Sequence, residues 1–379
     1  MKVAQIYELM NIVTSEVLGR TEVVTEDLSN LVDVGNEIFN SNLVDNYVKK
    51  LVDHIGRVVF VNRPYAGSAP SVLMDAWEFG SVVEKITCDL PEASENASWS
   101  LVSGQVYDPN KFKAPDVSAK FFNNKVTFEI QMSITEIQVK ESFDSLSQLN
   151  TFISMIYNAI DQSMTVKIDG LIMRAINSLI AETYADYTKN QGIKVVNLLS
   201  KYNERFGATL TAAEAVTNPE FNRYASYEIA LISNRMTRLS TLFNVGGKAR
   251  FTSPDYMHLV LLNDFAQGAK TYLQSDTFHE EFTALPNAEI VPYWQGTGTN
   301  YEFDSTSKIQ IKLPSDGSEV TVNGVLGCIF DRDACAVCNY DRRTTSQWNA
   351  PGEFTNMWFK ADCSEYVDLN EQCVVFIAA

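Results

Sequence analysis

An α+β chain assembled from several structural units is the fold class this sequence predicts, on three observations. An apolar stripe runs without a break and without proline from about Ser142 to Tyr187. Ahead of it, a long polar excursion separates two strand-like stretches between about Ala76 and Ile137. Behind it, helix and strand patterns alternate to about Val337, and further strands close the chain. A length of 379 residues accommodates two or three such units.

The first stretch reads as helical. From Leu28, the apolar residues Leu31, Val32, Val34, Ile38 and Phe39 recur at three-and-four spacing, and Glu26 and Asp27 suit the positive end of a helix. A second stripe, Leu43, Val44, Tyr47, Val48, Leu51, Val52 and Ile55, closes at Gly56. Arg57 to Asn62 reads as a short strand, and Pro64, Gly67 and Pro70 mark a loop.

Trp77, Phe79, Val82, Val83 and Ile86 then lead into the polar run Asp89 to Asn96, followed by Trp99, Leu101, Val102 and Gly104. Lys111, Lys113, Lys120 and Lys125 sit in the returning half among Pro109, Pro115 and Asn123-Asn124. Lys125 to Ile134 alternates apolar and polar side chains, as a half-buried strand does. Connections in compact domains mostly run about 2–6 residues. The region is therefore expected to be a two-stranded arm that reaches outward with little core of its own.

In the central stripe, Leu146, Leu149, Ile153, Ile156, Ile160, Met164, Ile168, Leu171, Ala175 and Leu179 step by three or four. A continuous helix of about 45 residues would be ~65 Å long at 1.5 Å per residue. The charge pairs that flank a coiled-coil seam are missing, so this helix has to lie across a sheet or along a neighbour.

Asn218-Pro219-Glu220 is a well-formed helix start, and the stripe from Phe221 to Phe243 stops at Gly246-Gly247. Ser253-Pro254-Asp255 begins a turn, and His258 to Leu262 reads as a buried strand. Phe265, Ala269, Leu273 and Phe278 predict another helix before a strand from Ala288 to Trp294. Ile309–Leu313 and Val320–Asn323 form a hairpin about Pro314–Gly317, and Gly324 to Phe330 is another buried strand. Phe354 to Tyr366 and Gln372 to Ala378 give two strands more.

Composition narrows function. The chain carries 30 Lys+Arg against 47 Asp+Glu, a formal charge of −17, which disfavours a broad basic face for nucleic acid or an anionic membrane surface. No apolar run approaches the ~20 residues of a membrane span. The N-terminal stretch is interrupted by Glu8, Asn11 and Glu16 and is not expected to be a secretory signal. Six cysteines in a chain this long are too sparse for a disulfide scaffold and predict free thiols in a reducing cytoplasm.

The motif-like stretches each fail on a required residue. Gly246-Gly247-Lys248 has Leu242 where a phosphate loop needs its first glycine and Ala249 where it needs Ser or Thr, so it reads as a helix stop. Gly296-Thr297-Gly298 lacks a third glycine and leads into Asn300–Asp304, so it reads as a loop. His279-Glu280-Glu281 has Thr283 at the second zinc-ligand position. His54 reads as a helix end, and His258 as a satisfied, partly buried imidazole. Cys335 and Cys338 have no second pair to complete a zinc site, and Cys88, Cys328, Cys363 and Cys373 are scattered singly; all six read as small buried apolar residues. Asp331-Arg332-Asp333 has Cys335 and Ala336 where a calcium loop needs a ligand and a glycine. The expected catalytic, cofactor and metal residues are therefore none, and no enzyme is expected.

An outward two-stranded arm, a long lone helix, a mixed α/β unit and returning strands form a specific order. In that order, and in the stretches Met74–Gly80, Asp89–Glu92, Ser118–Phe122, Met155–Lys167 and Gly327–Asp333, the chain resembles the major capsid proteins of tailed phages with the Hong Kong 97-type fold, most of all coat proteins of phages of Gram-positive bacteria. The similarity runs over most of the chain.

The resemblance implies a helical N-terminal arm over 1–75 and an extended loop over 76–137 that overlaps a neighbouring subunit. It implies a peripheral domain with its spine helix over 138–190, completed by strands over 340–379, and an axial domain over 191–339. Trp77, Phe79, Trp99, Val126 and Phe128 would then become buried across subunits. The implied function is a coat protein that self-assembles into pentamers and hexamers of an icosahedral shell. That shell encloses double-stranded DNA without sequence-specific binding and touches no membrane.

The implied location is the virion capsid, assembled in the host bacterial cytoplasm. The portal is an expected partner. No charged coiled-coil prefix precedes the arm, so either a separate scaffolding protein assists or the sequence begins at the mature end. Some relatives join subunits by Lys–Asn isopeptide bonds. Lys111, Lys113, Lys120 or Lys125 with Asn349 or Asn356 and Glu353 would supply the parts, against the commoner reading of all these as solvated residues. The rival readings are an encapsulin-like nanocompartment shell and an α/β enzyme without a recognisable motif.

Overall fold

The computed structural model describes residues 3–19, Val34, Glu37, Leu43, Asn46, 69–75, 83–91, 93, 95–110, 112, 114–135, 146–274, 288–294 and 308–379. The expected stripes between Leu28 and Ile55 lie outside the described residues except at Val34 and Leu43, as do the strand Arg57–Asn62 and the aromatic pair Trp77 and Phe79.

A helix α1 (Val3–Leu18) opens the described chain, with Val13 buried in the main core and Val17 and Leu18 packed against it. The strand β1 (Leu73–Asp75) follows, then the arm strands β2 (Val83–Cys88) and β3 (Val117–Phe122), and then β4 (Lys125–Thr135). The long helix α2 (Leu146–Asn190) has 45 residues.

Sequence periodicity predicts one apolar stripe on α2, but its C-terminal half is buried nearly all round. Ile168, Ile172, Ala175, Ile176, Leu179 and Ile180 are buried, and so are the polar Asn177, Glu182 and Thr183. The helix contacts β4 together with β11 (Cys335–Asn349) and β12 (Phe354–Val367). It also contacts β5 (Val195–Asn197), β13 (Cys373–Ile377) and the hairpin β8 (Ile309–Lys312) with β9 (Glu319–Val322). Two of its buried polar side chains, Thr183 and Glu182, are hydrogen-bonded. Thr183 Oγ1 donates to the Leu179 carbonyl at 2.8 Å, and Glu182 accepts from the Ser315 N–H and Oγ, both at 2.9 Å.

After α2 come α3 (Leu198–Phe206), α4 (Ala212–Ala215) and α5 (Pro219–Met236). Asn218 caps α5 as its sequence requires, its side chain accepting from the Phe221 N–H at 3.0 Å. The helix ends at Met236, well short of Gly246, because residues 240 and 250 pair across a small hairpin that takes over the chain. Then follow β6 (Met257–Leu262), α6 (Asn263–Gln274), β7 (Ala288–Val291) and β10 (Val325–Asp331).

Among the described residues two larger sheets form. One has the order β1-β11-β12-β4, with β1 parallel to β11 and the other pairs antiparallel. The other has the order β5-β13-β10-β6-β7, and its strands β13 and β10 are buried on both faces. Alternate residues of its strands serve different cores. Val260, Cys328, Phe330 and Val375 face the core around α2, whereas Leu261, Ile329, Val374 and Phe376 join the core under α3, α5 and α6.

Two expectations change here. Lys125–Ile134 is not the returning half of the arm: β4 pairs with β12 from Lys125↔Ser364 to Thr135↔Phe354. Phe128 is accordingly buried in the chain's own core, with Val126 packed against it, rather than held for a neighbour. The closing strand β13, from the 340–379 stretch, pairs with β10 and β5 of the 191–339 stretch.

Candidate assembly surface

The arm proper is the β2–β3 ladder, which runs from Val83↔Phe122 to Cys88↔Val117 and is continued by the Asp89 N–H donating to the Asp116 carbonyl at 2.9 Å. Beyond it, the described residues between 90 and 115 make a tip held by polar groups of its own. The Ser98 N–H donates to Asn96 Oδ1 at 2.8 Å and the Asn110 N–H to Asp108 Oδ1 at 2.9 Å, Asx turns that fix the chain locally. The Val102 N–H donates to Tyr107 Oη at 3.3 Å.

The side chains this scaffold presents are apolar and uncovered. Trp99 is 99% exposed, Val106 90% and Phe112 88%, with Leu90, Leu101, Val102, Val117 and Phe121 also exposed. Burying a large apolar side chain gains about 1.5–3 kcal/mol, so a row of them on a projecting arm is the signature of a surface completed by a partner.

The root of the arm is charged and anchored. Lys85 Nζ lies 2.7 Å from Glu371 Oε1 and 3.0 Å from Asp368 Oδ2, and also donates to the Asp333 carbonyl at 3.2 Å. Lys120 Nζ donates to Asp368 Oδ1 at 2.8 Å. Burial opposes ionisation of Asp368, but the hydrogen bond from Lys120 and the charge of Lys85 outweigh it and hold its carboxyl below the usual range. Burial likewise works against the Lys85 ammonium, and Glu371 and Asp368 more than offset it, so its pKa is raised.

Further out, Lys248 pairs with Asp89. Behind, Arg250 Nε lies 3.5 Å from Glu371, Gln372 Nε2 donates to the Arg250 carbonyl at 2.9 Å, and the Gly246 N–H donates to the Leu369 carbonyl at 2.9 Å. An aromatic contact between Phe122 and Tyr366, centroids 5.0 Å apart, completes the root.

The residues singled out by sequence fall as follows. Lys248 of the Gly-Gly-Lys stretch meets the Asp89 carboxylate rather than an open phosphate cradle. Lys111, Lys113, His54, His279–Thr283 and Gly296–Asp304 lie outside the described residues. Lys120 is bonded to Asp368 of its own chain. Asn349 accepts from the Gly352 N–H at 3.0 Å, Asn356 from Ser133 Oγ at 2.5 Å, and Glu353 sits in the β11–β12 turn with φ 50°. Lys125 lies opposite Ser364, eight residues along β12 from Asn356, which is about 27 Å at strand rise.

Cys335 and Cys338, three apart on β11, point to opposite faces of the sheet. Burial pushes up the thiols of Cys328, Cys335 and Cys338, and those of Cys363 to about 11 and Cys373 to about 12. Cys88 departs from the expected pattern: it is exposed, on the arm.

His258 stacks on Phe330 with centroids 5.3 Å apart, and its Nδ1 lies 3.5 Å from Glu289. Glu289 also accepts from the Ser71 N–H at 3.2 Å, tying residues 69–72 to the edge of the five-stranded sheet. Among the described residues no three metal-ligating side chains converge, and no helix is long and apolar enough to cross a membrane. Sequence reasoning missed Asp368 and Glu371, which sit in a turn between two strands and carry no motif.

Comparison with known proteins bears on what this surface is for. Residues 10–377 match the family model described as Phi29-like phage major capsid protein. No curated protein matches the sequence. Among solved structures, a chain of the capsid of Staphylococcus phage Andhra is similar with a TM-score of 0.54 at 11% identity, over 84% of this chain and 87% of that one. A chain from the structure of the head fiber and inner core protein gp22 of native bacteriophage P68 gives a TM-score of 0.49 at 11% identity, over 81% and 83%. The capsid of the cyanophage P-SCSP1u gives 0.46 at 10% identity, over 84% and 88%. The first of these likenesses carries the fold, which is the Hong Kong 97-type arrangement.

Proposed function

The chain belongs to the Phi29-like phage major capsid protein family, and from that premise we propose that its arm, residues 83–122, is the part that laps onto a neighbouring copy when the shell forms. The protein is a phage coat protein that associates with itself into a shell, and its place is the virion capsid. This family membership supports the coat-protein reading over the nanocompartment and enzyme readings that the sequence left open.

One observation supports the overlap above all: the arm carries Trp99, Val106 and Phe112 almost fully exposed at its tip while its root is tied to its own subunit by ion pairs. Apolar residues on an arm with so little core are covered only from outside. The finer assignments belong to the same reading. The N-terminal arm is 1–75; the extended loop is 76–137, with the 83–122 arm inside it and its last strand β4 paired to β12; the peripheral domain is 138–190 with 340–379, and the axial domain is 191–339, whose sheet takes in β13 as well. A scaffolding protein and the portal are the partners at assembly in the host cytoplasm. DNA is enclosed without sequence-specific contact, in keeping with a formal charge of −17.

The test is expression of the chain alone and with a candidate scaffold, followed by negative-stain electron microscopy. Closed shells or capsomer rings support the reading. Compact monomers or dimers under both conditions would overturn it. On a boiled denaturing gel of such shells a single monomer band is expected, with the lysines of the arm solvated or ion-paired; a ladder would identify covalent joining.

A further inference from the structure

We propose that Asp368, gripped by Lys85 and Lys120, is the positioning group that sets the direction of the arm for assembly, so that shell formation depends on this junction as well as on the apolar tip. The proposal rests on the reading of the arm as the overlapping part. Its ground is geometric. Lys85 and Lys120 are partners across the β2–β3 ladder, so one carboxylate holds both strands of the arm at the same level.

Asp368 is 1% exposed, and its own backbone N–H donates to the Ala334 carbonyl at 2.7 Å, so the carboxylate is fixed to the body of the subunit. A two-stranded ribbon held at one level can still swing about that level. The second tie, Asp89 to Lys248, lies farther along the ribbon and on a different element, which removes that freedom. Both ties end on the same support, because the 244–250 segment is bonded to the 368–372 turn through Gly246, Arg250 and Gln372. An arm fixed this way loses less freedom when its tip docks than a swinging one, and pre-organisation of that kind lowers the concentration needed for association.

The experiment uses the full chain. Cys88 is the exposed thiol of the six and lies at the junction of ladder and tip, so a thiol-specific spin label there reports arm motion. Lys120 is half exposed, and Lys120→Met is the primary variant because it leaves the Lys85–Asp368 pair in place; Asp368→Asn is the second, and Lys120→Arg the conservative control. Expected for Lys120→Met is a more mobile label on the unassembled subunit. Its far-UV spectrum and melting stay close to the parent's, and the critical concentration for shells rises roughly two- to fivefold, as loss of one partly exposed pair allows. Lys120→Arg restores both.

A label as immobile as the parent's in both Lys120→Met and Asp368→Asn, or parental assembly despite a mobile label, would overturn the proposal. Trp99→Ala separates the two levels of the reading. If it assembles like the parent, the overlap reading itself fails. If it blocks assembly with the label immobile while Lys120→Met assembles normally, only the positioning role fails.

Discussion

Lys85 and Lys120 face each other across the β2–β3 ladder, and both ammonium groups bond one buried carboxylate, that of Asp368, at 3.0 and 2.8 Å. Like charges directly opposite in a ladder repel. Here the shared anion turns that repulsion into a two-point grip on the arm, and Glu371, 2.7 Å from Lys85, supplies the second negative charge.

The grip has a definite pH dependence. The folded pKa of Asp368 lies below its unfolded value of about 3.9, so its contribution is complete above that value and is lost as pH falls through the folded pKa. Asp331, close by and pushed up by burial, acts in the opposite sense: its protonation on acidification relieves a cost and partly offsets the loss. Acid titration below about pH 4 is therefore expected to free a Cys88 spin label while the sheet signal in the far-UV persists. In Asp368→Asn the label is mobile at neutral pH and this acid step disappears. A label that stays immobile to pH 2 in the parent would contradict the assignment.

The tip makes a different prediction, because it contributes to association and little to the fold. Trp99→Ala should leave subunit unfolding within about 0.5 kcal/mol of the parent, as substitutions at uncovered positions do. Its assembly should weaken by about 2 kcal/mol or more per contact, the size of an interface anchor, which is roughly thirtyfold in concentration. Light scattering across a dilution series measures one and urea unfolding of the unassembled subunit the other. An equal loss in both would place Trp99 in the subunit's own core.

What the sequence made legible follows from where the pattern is generated. The 45-residue helix announced itself through its unbroken apolar stripe, although between Leu171 and Ala185 it proved buried nearly all round. The cap Asn218 and the hairpin about Pro314–Gly317 were legible because local geometry demands particular residues there. The strand β11 was not. From Arg342 to Asn349 its side chains are partly or largely exposed and mostly polar, so only pairing with β12 makes it a strand. Val126 and Phe128 alternate as any half-buried strand would, and no local signal says whether the cover is the arm or β12. Asp368 was illegible for the same reason: its importance lies in Lys85 and Lys120, which are distant in sequence.

Thiol chemistry should distinguish the arm from the body. Cys88 is exposed, whereas burial pushes up the thiols of Cys328, Cys335, Cys338, Cys363 and Cys373. A chromogenic disulfide reagent at pH 8 is expected to titrate one thiol rapidly in the native subunit and all six after denaturation. Cys88→Ser removes the fast phase. In assembled shells the fast phase slows if the arm is covered there. Two or more fast thiols in the native subunit would mean that one of the two larger sheets opens, the five-stranded one if Cys328 or Cys373 reacts and the four-stranded one if Cys335, Cys338 or Cys363 does.

Two glycines with nearly the same backbone separate strain from packing. Gly317, φ 71°, turns the β8–β9 hairpin in open space, whereas Gly324, φ 66°, lies where an added Cβ would press on the Ala378 carbonyl. For both, a side chain in the left-handed region costs about 1–2 kcal/mol. At Gly324 the obstacle is backbone, and it is the backbone of the residue whose N–H donates to the Gly324 carbonyl at 2.8 Å. Relief of the clash would thus pull on the end of β13, the strand that joins the returning chain to the five-stranded sheet. Gly317→Ala is expected to lose only the conformational cost, and Gly324→Ala at least about 1 kcal/mol more, within the range for local backbone strain. Urea unfolding of both variants gives the difference, and hydrogen exchange should show the excess opening confined to residues 373–378. Equal losses would mean that the chain end yields freely and that β13 is held by its apolar faces alone.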